Sequence, residues 1–148
     1  MSAYKFCILL LCPWFCFAQE QEQSCGSPPV VQFGDTLEPR ERTNKHGTVI
    51  TYTCPEYYIR EGNKEVVCRN GEWDDPPTCI EPCIALEKDM IANNIQLKWT
   101  SHKKLYIRDK EWIGFVCMNG YEISNENLLR IQCKRSVLTY PKCSKIGE

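Results

Sequence analysis

Cys68-Arg69-Asn70-Gly71-Glu72-Trp73-Asp74-Asp75-Pro76-Pro77-Thr78-Cys79-Ile80-Glu81-Pro82-Cys83 is the stretch that decides how this 148-residue chain is read. It closes one set of four cysteines and opens a second, with only Ile80-Glu81-Pro82 between them. Outward from it, Cys25, Cys54, Cys68 and Cys79 form one set, and Cys83, Cys117, Cys133 and Cys143 repeat its rhythm. The pattern predicts one small module copied twice, with a linker too short to let the copies tumble freely. Inside the quoted stretch, Asn70-Gly71 is a hairpin turn signal. Pro76-Pro77 holds the chain extended before the last cysteine.

The N-terminal end fits a secretory leader over residues 1–18. Lys5 precedes the apolar run Phe6–Phe17, and Ala18 supplies a small residue before cleavage ahead of Gln19. The run is shorter than the ~20 residues a bilayer span needs. Loss of the leader removes Cys7, Cys12 and Cys16 and leaves an even number of cysteines. Pairing is then the expected state in an oxidising compartment. Ser144–Glu148 is polar, so neither a membrane span nor a lipid anchor is expected. The reading is a secreted, extracellular protein.

Modules at residues 25–79 and 83–143, joined by a linker at 80–82, sit at the size where a hydrophobic core alone is marginal. Disulfide staples are therefore required, and four cysteines allow three pairings each. Thr48–Cys54 alternates polar with β-branched and aromatic residues and predicts a strand, as does Glu65–Cys68. Gly34-Asp35 and Glu61–Lys64 read as turns. In the second copy Ile95–Trp99, Leu105–Arg108, Trp112–Cys117 and Leu128–Cys133 read as strands, with a turn at Asn119-Gly120. Ala85–Asn93 has room for one turn of helix. Short strands punctuated by Gly and Pro predict an all-β chain.

The early prolines of Cys25-Gly26-Ser27-Pro28-Pro29, the aromatic two positions before Cys54 and Cys117, Gly120-Tyr121, and the spacing Cys68…Gly71…Trp73…Pro77…Cys79 together resemble the sushi domain. This domain is also called the complement control protein module. The resemblance implies two tandem disulfide-rich β modules in an elongated arrangement. It implies first-to-third and second-to-fourth bridges: Cys25–Cys68, Cys54–Cys79, Cys83–Cys133 and Cys117–Cys143. A bridge closing about 44 residues stabilises by roughly 4 kcal/mol in the chain-entropy model. The run Glu61–Cys83, with Ile95–Thr100 and Lys104–Tyr106, is further similar to the last two modules of the complement factor H family. The second copy departs from the general pattern, because Leu138-Thr139-Tyr140-Pro141 stands where a Trp is expected.

That family resemblance implies two ligands: the thioester-containing fragment of complement component three, and heparin-like or sialylated surface glycans. For the fragment it points to Asp35, Lys98, Trp99, Thr100, Lys104 and Tyr106. Charge supports the polyanion half. Residues 83–148 carry 11 Lys and Arg against 7 Asp and Glu, a net +4, while residues 25–79 carry 6 against 9, a net −3. A basic module attracts anionic partners over distance, and salt weakens that attraction. The candidates are Lys98, Lys103, Lys104, Arg108, Arg130, Lys134, Arg135, Lys142 and Lys145, of which several must share a face. Trp99 reads equally as an exposed anchor or as a core residue of an alternating strand. Trp112 stands where the family has small or acidic residues, and Lys134 replaces an aromatic, which puts sialic-acid selectivity in question. Trp73 and Tyr140 read as packing residues.

Catalysis is not expected. His46 and His102 lack metal-ligand spacing, and no nucleophile–base pattern or phosphate loop occurs. No cofactor, metal or nucleic-acid partner is expected, and the chain reads as a monomer. A module pair of this kind also suits a second class of function, a soluble receptor or adhesion fragment for a cytokine or a phospholipid surface.

Overall fold

The computed structural model describes residues 21–99 and 104–147. The leader over residues 1–18 lies outside the described residues, as do Thr100, His102 and Lys103. The first module contains β1 (Asp35–Thr36), β2 (Val49–Thr53), β3 (Ile59–Glu61), β4 (Glu65–Arg69), β5 (Glu72–Trp73) and β6 (Thr78–Ile80). Four of them form an antiparallel sheet in the order β1-β2-β4-β5, and β3 pairs with β6. Alternation sets which face is covered. Ile50 and Tyr52 of β2 and Val66 and Cys68 of β4 are buried, while the ends of both strands are exposed. Burying such side chains contributes about 1.5–3 kcal/mol each. Val31, Ile50, Tyr52, Val66 and Cys79 form the core, and Trp73 packs against it.

Buried polar groups in this core are answered. The Tyr52 hydroxyl donates to the Pro29 carbonyl at 2.7 Å, and burial pushes its pKa up. The Trp73 indole N–H donates to the Gly26 carbonyl at 3.1 Å. Asn70 and Gly71, at φ 48° and 89°, both lie in the left-handed region and join β4 to β5. Two left-handed residues are what a two-residue hairpin turn of this twist requires.

The second module contains β7 (Cys83–Leu86), α1 (Glu87–Ala92), β8 (Ile95–Leu97), β9 (Lys104–Ile107), β10 (Trp112–Cys117), β11 (Tyr121–Glu122), β12 (Arg130–Gln132) and β13 (Ser144–Lys145). β10 lies between β12 and β8, β7 pairs with β9, and β11 pairs with β13, all antiparallel. A separate core gathers Ala85, Met90, Ile95, Leu97, Ile107, Ile113 and Phe115 around Cys83, Cys133 and Cys143. Tyr140 packs edge-on to Phe115 at 5.9 Å. Its hydroxyl accepts from the Leu86 N–H at 3.2 Å and donates to the Ile84 carbonyl at 3.3 Å.

Disulfides join Cys25 to Cys68, Cys54 to Cys79, Cys83 to Cys133 and Cys117 to Cys143. Among the described residues no sheet is shared between the modules. Among the described residues the fold is all-β apart from one six-residue helix and one 3-10 turn.

Four local readings are corrected. Asp35 opens β1 rather than forming a turn with Gly34; the turn falls at Gln32-Phe33, closed by the Gly34 N–H on the Val31 carbonyl at 3.1 Å. Ala85 is a strand residue, and the helix begins at Glu87. Leu128 and Leu129 are in a 3-10 turn, not in β12. There the Asn125 side chain accepts from the Asn127 N–H at 3.0 Å, a local bond that competes with the extended chain. Ile80, taken as linker, is the last residue of β6 and is buried.

Candidate ligand-binding face

β10 alternates, and its two faces differ in kind. Ile113 and Phe115 enter the core, while Trp112 is 56% exposed. Register then fixes the neighbours. Gly114 stands opposite Arg130 of β12. On its other side the Lys98 N–H donates to the Gly114 carbonyl at 3.1 Å. Lys98, Gly114 and Arg130 thus form a row across the sheet. Gly114 contributes no side chain to that row. A Cβ there would sit 3.8 Å from the Lys98 Cβ and Cδ, so the lysine stem runs beside the bare backbone.

Each cation of the row is matched with an indole. The Lys98 Nζ lies 5.1 Å from the Trp99 ring centroid, and the Arg130 guanidinium lies 5.3 Å from that of Trp112. Trp99 is 82% exposed, which removes its reading as a core residue. Exposed cation–π pairs of this kind contribute about 0.5–1 kcal/mol each. Chemically, the indoles offer flat apolar area for a sugar ring or an apolar side chain. The cations offer charge-assisted hydrogen bonds to sulfate or carboxylate.

The other candidate cations lie on other elements or outside the described residues. Lys134 is exposed and bridges to Val137. Lys142 and Lys145 are exposed, with Lys145 in β13 opposite Tyr121. Lys104 pairs with Leu86 through its backbone. Thr100 and Lys103 lie outside the described residues. Asp35 belongs to the other module, exposed in β1, where its carboxylate accepts from the Thr36 N–H at 2.8 Å.

Three candidates turn to the junction between modules. Tyr106 stacks on Tyr57 of the first module, centroids 5.3 Å apart and planes 20° apart. Arg108 places its guanidinium 5.5 Å from the same Tyr57 ring and pairs with Glu111 at 3.6 Å. Arg135 pairs with Glu61 at 3.2 Å, and the Ser136 hydroxyl donates to the Glu81 carbonyl at 3.2 Å. An exposed ion pair of this sort contributes about 0.2–1 kcal/mol. Tyr57 and Glu61 were not singled out from the sequence, because nothing local marks a residue whose partner lies in the other module. The Trp112–Arg130 pair was also missed. Its signal is the antiparallel register of two strands separated by residues 118–129, which include β11 and a 3-10 turn.

With this framework of paired strands and four bridges established, comparison with known proteins is direct. A family model described as "Sushi repeat (SCR repeat)" matches residues 25–79. The chain belongs to the sushi family. Among similar curated proteins is complement factor H-related protein 2 of Homo sapiens, 35% identical over 130 residues, which are 88% of this chain and 48% of that protein. Complement factor H of Bos taurus is 36% identical over 126 residues, 84% of this chain and 10% of that protein. Coagulation factor XIII B chain of Mus musculus is 36% identical over 133 residues, 87% of this chain and 20% of that protein. The sushi chain therefore spans about half the length of the first of these relatives and a tenth of the second. Percentage identity alone does not separate the complement relatives from the coagulation relative.

Proposed function

We propose that this sushi chain is a secreted, non-enzymatic complement-binding protein. It engages the thioester-containing fragment of component three and anionic surface glycans, and so competes with factor H. The observation that carries the reading is the row Lys98–Gly114–Arg130 with its two exposed indoles, on a module of net charge +4. Supporting it are the relatives named complement factor H and factor H-related protein. The indole–cation row takes the glycan. Asp35, Trp99 and the strand bearing Lys104 and Tyr106 form the surface for the protein fragment.

The test is a pair of titrations on the disulfide-intact protein. Saturable binding to the immobilised component-three fragment, reduced about tenfold or more by Trp99→Ala, is expected for an exposed aromatic anchor. Retention on heparin is expected to fall with salt and to drop in Lys98→Ala with Arg130→Ala. No binding to the fragment ends the complement reading. Binding to anionic vesicles without heparin retention assigns the same face to a phospholipid surface instead.

A further inference from the structure

A second site, of opposite chemistry, lies at the junction. A cleft of about 400 Å³ opens where the modules meet, at the small end of the range of ligand pockets. Tyr57, Tyr58 and Tyr106 line it with rings, Glu56 and Glu81 with carboxylates, and Ile84 with apolar surface. No cation is among its lining residues. Among the described side chains near it, Arg108 is matched with Glu111 and Arg135 with Glu61. Glu56 and Glu81 make no ion pair among the described residues. The lining side chains are therefore aromatic and acidic, with Arg108 set against one of the rings, next to a module whose overall charge is positive.

The backbone is bent to build it. Tyr57 is held at φ 68°, in a turn closed by the Tyr58 N–H on the Pro55 carbonyl at 3.2 Å. A bulky residue in the left-handed region costs on the order of 1–3 kcal/mol and persists where surrounding structure demands it. Here that structure is the turn closed on Pro55, with the Tyr57 ring stacked on Tyr106. The Arg108 guanidinium beside Tyr57 shows that this ring already attracts a planar cation from its own chain.

We propose that this cleft binds a cationic side chain, Arg or Lys, presented by a protein partner. Tyrosine faces attract a guanidinium or ammonium through the ring quadrupole, and the two carboxylates add charge and hydrogen-bond acceptors. Arg is the better fit, because its planar fork both stacks on rings and reaches carboxylates. The site is independent of the indole–cation face, which selects anions. One chain thus offers a cation site at its waist and an anion face on its second module.

The probe is N-acetyl-arginine methylamide, titrated into the intact protein and followed by the ring resonances of Tyr57, Tyr58 and Tyr106. Saturable shifts are expected, weakened about fivefold or more in Glu56→Gln with Glu81→Gln, two surface changes that spare the cores. Heparin retention of that double variant should be unchanged or slightly raised, while Trp99→Ala should leave arginine binding intact. Thus failure of the glycan reading and failure of this one are told apart. Absence of saturable shifts, or equal shifts in the double variant, overturns the proposal. Tighter binding of tetramethylammonium than of the arginine probe also overturns it, since that preference belongs to a quaternary headgroup rather than a protein side chain.

Discussion

In the first module the hairpin beyond Cys68 turns on Asn70-Gly71; in the second, the one beyond Cys133 turns on Arg135-Ser136. The backbone is the same in kind. Asn70 and Gly71 have φ 48° and 89°, and Arg135 and Ser136 have φ 44° and 68°. The causes differ. Asn and Gly enter the left-handed region readily, so the first turn is encoded where it stands. Arg and Ser do not, at a cost of roughly 1–2 kcal/mol per residue. The second turn is held from outside. The Arg135 N–H donates to Asp109 at 2.7 Å, its guanidinium meets Glu61, and the Ser136 hydroxyl meets the Glu81 carbonyl. The second module lacks the local preference of the first at this turn, and its turn residues reach instead to Glu61 of the first module and to the Glu81 carbonyl.

The largest effect that bears on this contrast comes from the bridges. Replacing Cys83 and Cys133 by Ala should cost the second module about 2–5 kcal/mol, as loss of a native bridge in a small secreted domain does. Amide exchange should then open at Ile113 and Phe115 while Ile50 and Val66, in the separate first core, stay protected. The reciprocal change, Cys25 and Cys68 to Ala, should spare the second core. If either cut unprotects both cores, the junction contacts carry more stability than an ion pair and a ring stack explain, and the contrast between modules dissolves.

A smaller effect isolates the turn itself. Arg135→Asn with Ser136→Gly should relieve the left-handed strain and stabilise the second module by about 1–2 kcal/mol. The loss of the exposed Glu61 pair, about a few tenths to 1 kcal/mol, and of the Ser136 hydroxyl bond to the Glu81 carbonyl offsets only part of the relieved strain. The reverse exchange, Asn70→Arg with Gly71→Ser, should destabilise the first module, where the Asn70 N–H donates to His46 Nδ1 at 3.0 Å but the introduced side chains would not find the Glu61 and Glu81 partners that Arg135 and Ser136 have. Thermal unfolding of the two variants reads both signs. A second module that is destabilised by Asn-Gly would mean that the reach across the junction, not local strain, dominates there.

How far the sequence carried the structure follows the same division. Thr48–Cys54, Trp112–Cys117 and Asn70-Gly71 were legible because their signals are local: alternation over five or six residues, or a dipeptide with one preferred conformation. Leu128 misled because its apolar run matches a strand, while the Asn125 side chain three residues earlier winds the chain into a 3-10 turn. Cysteine spacing left three pairings per module open, and it was the sushi resemblance that implied the first-to-third and second-to-fourth set; the structure joins Cys25 to Cys68 and Cys54 to Cys79. At the site, Lys98 and Trp99 were visible as neighbours in the chain. The partnership of Trp112 with Arg130 was not, since it depends on register across two strands. Arg108 and Arg135 counted as free surface charge until Tyr57 and Glu61 appeared beside them.

The smallest expected effect is a difference in acid response. Glu38 pins the first module's sheet: its carboxylate accepts from the Thr51 N–H at 2.6 Å and from the Thr51 hydroxyl at 2.8 Å. The Thr51 backbone N–H, and after it the hydroxyl, hold the Glu38 pKa below the ordinary carboxylate value. Because the folded value is the lower one, the unfolded chain binds the proton more readily as acid is added. The contribution is therefore fully present above the unfolded carboxylate pKa, about 4.3. It drains away as pH falls through the folded value. Glu38→Gln keeps an acceptor for Thr51 but cannot titrate. The first module of that variant should thus be less stable than wild type at neutral pH and lose less stability on acidification. Protection of Ile50 and Val66 amides across this range is the readout, with the Ile113 and Phe115 amides of the second module as an internal reference that the substitution leaves unmoved. Parallel acid curves for wild type and variant at Ile50 would place the origin of the first module's acid sensitivity elsewhere than in this bond.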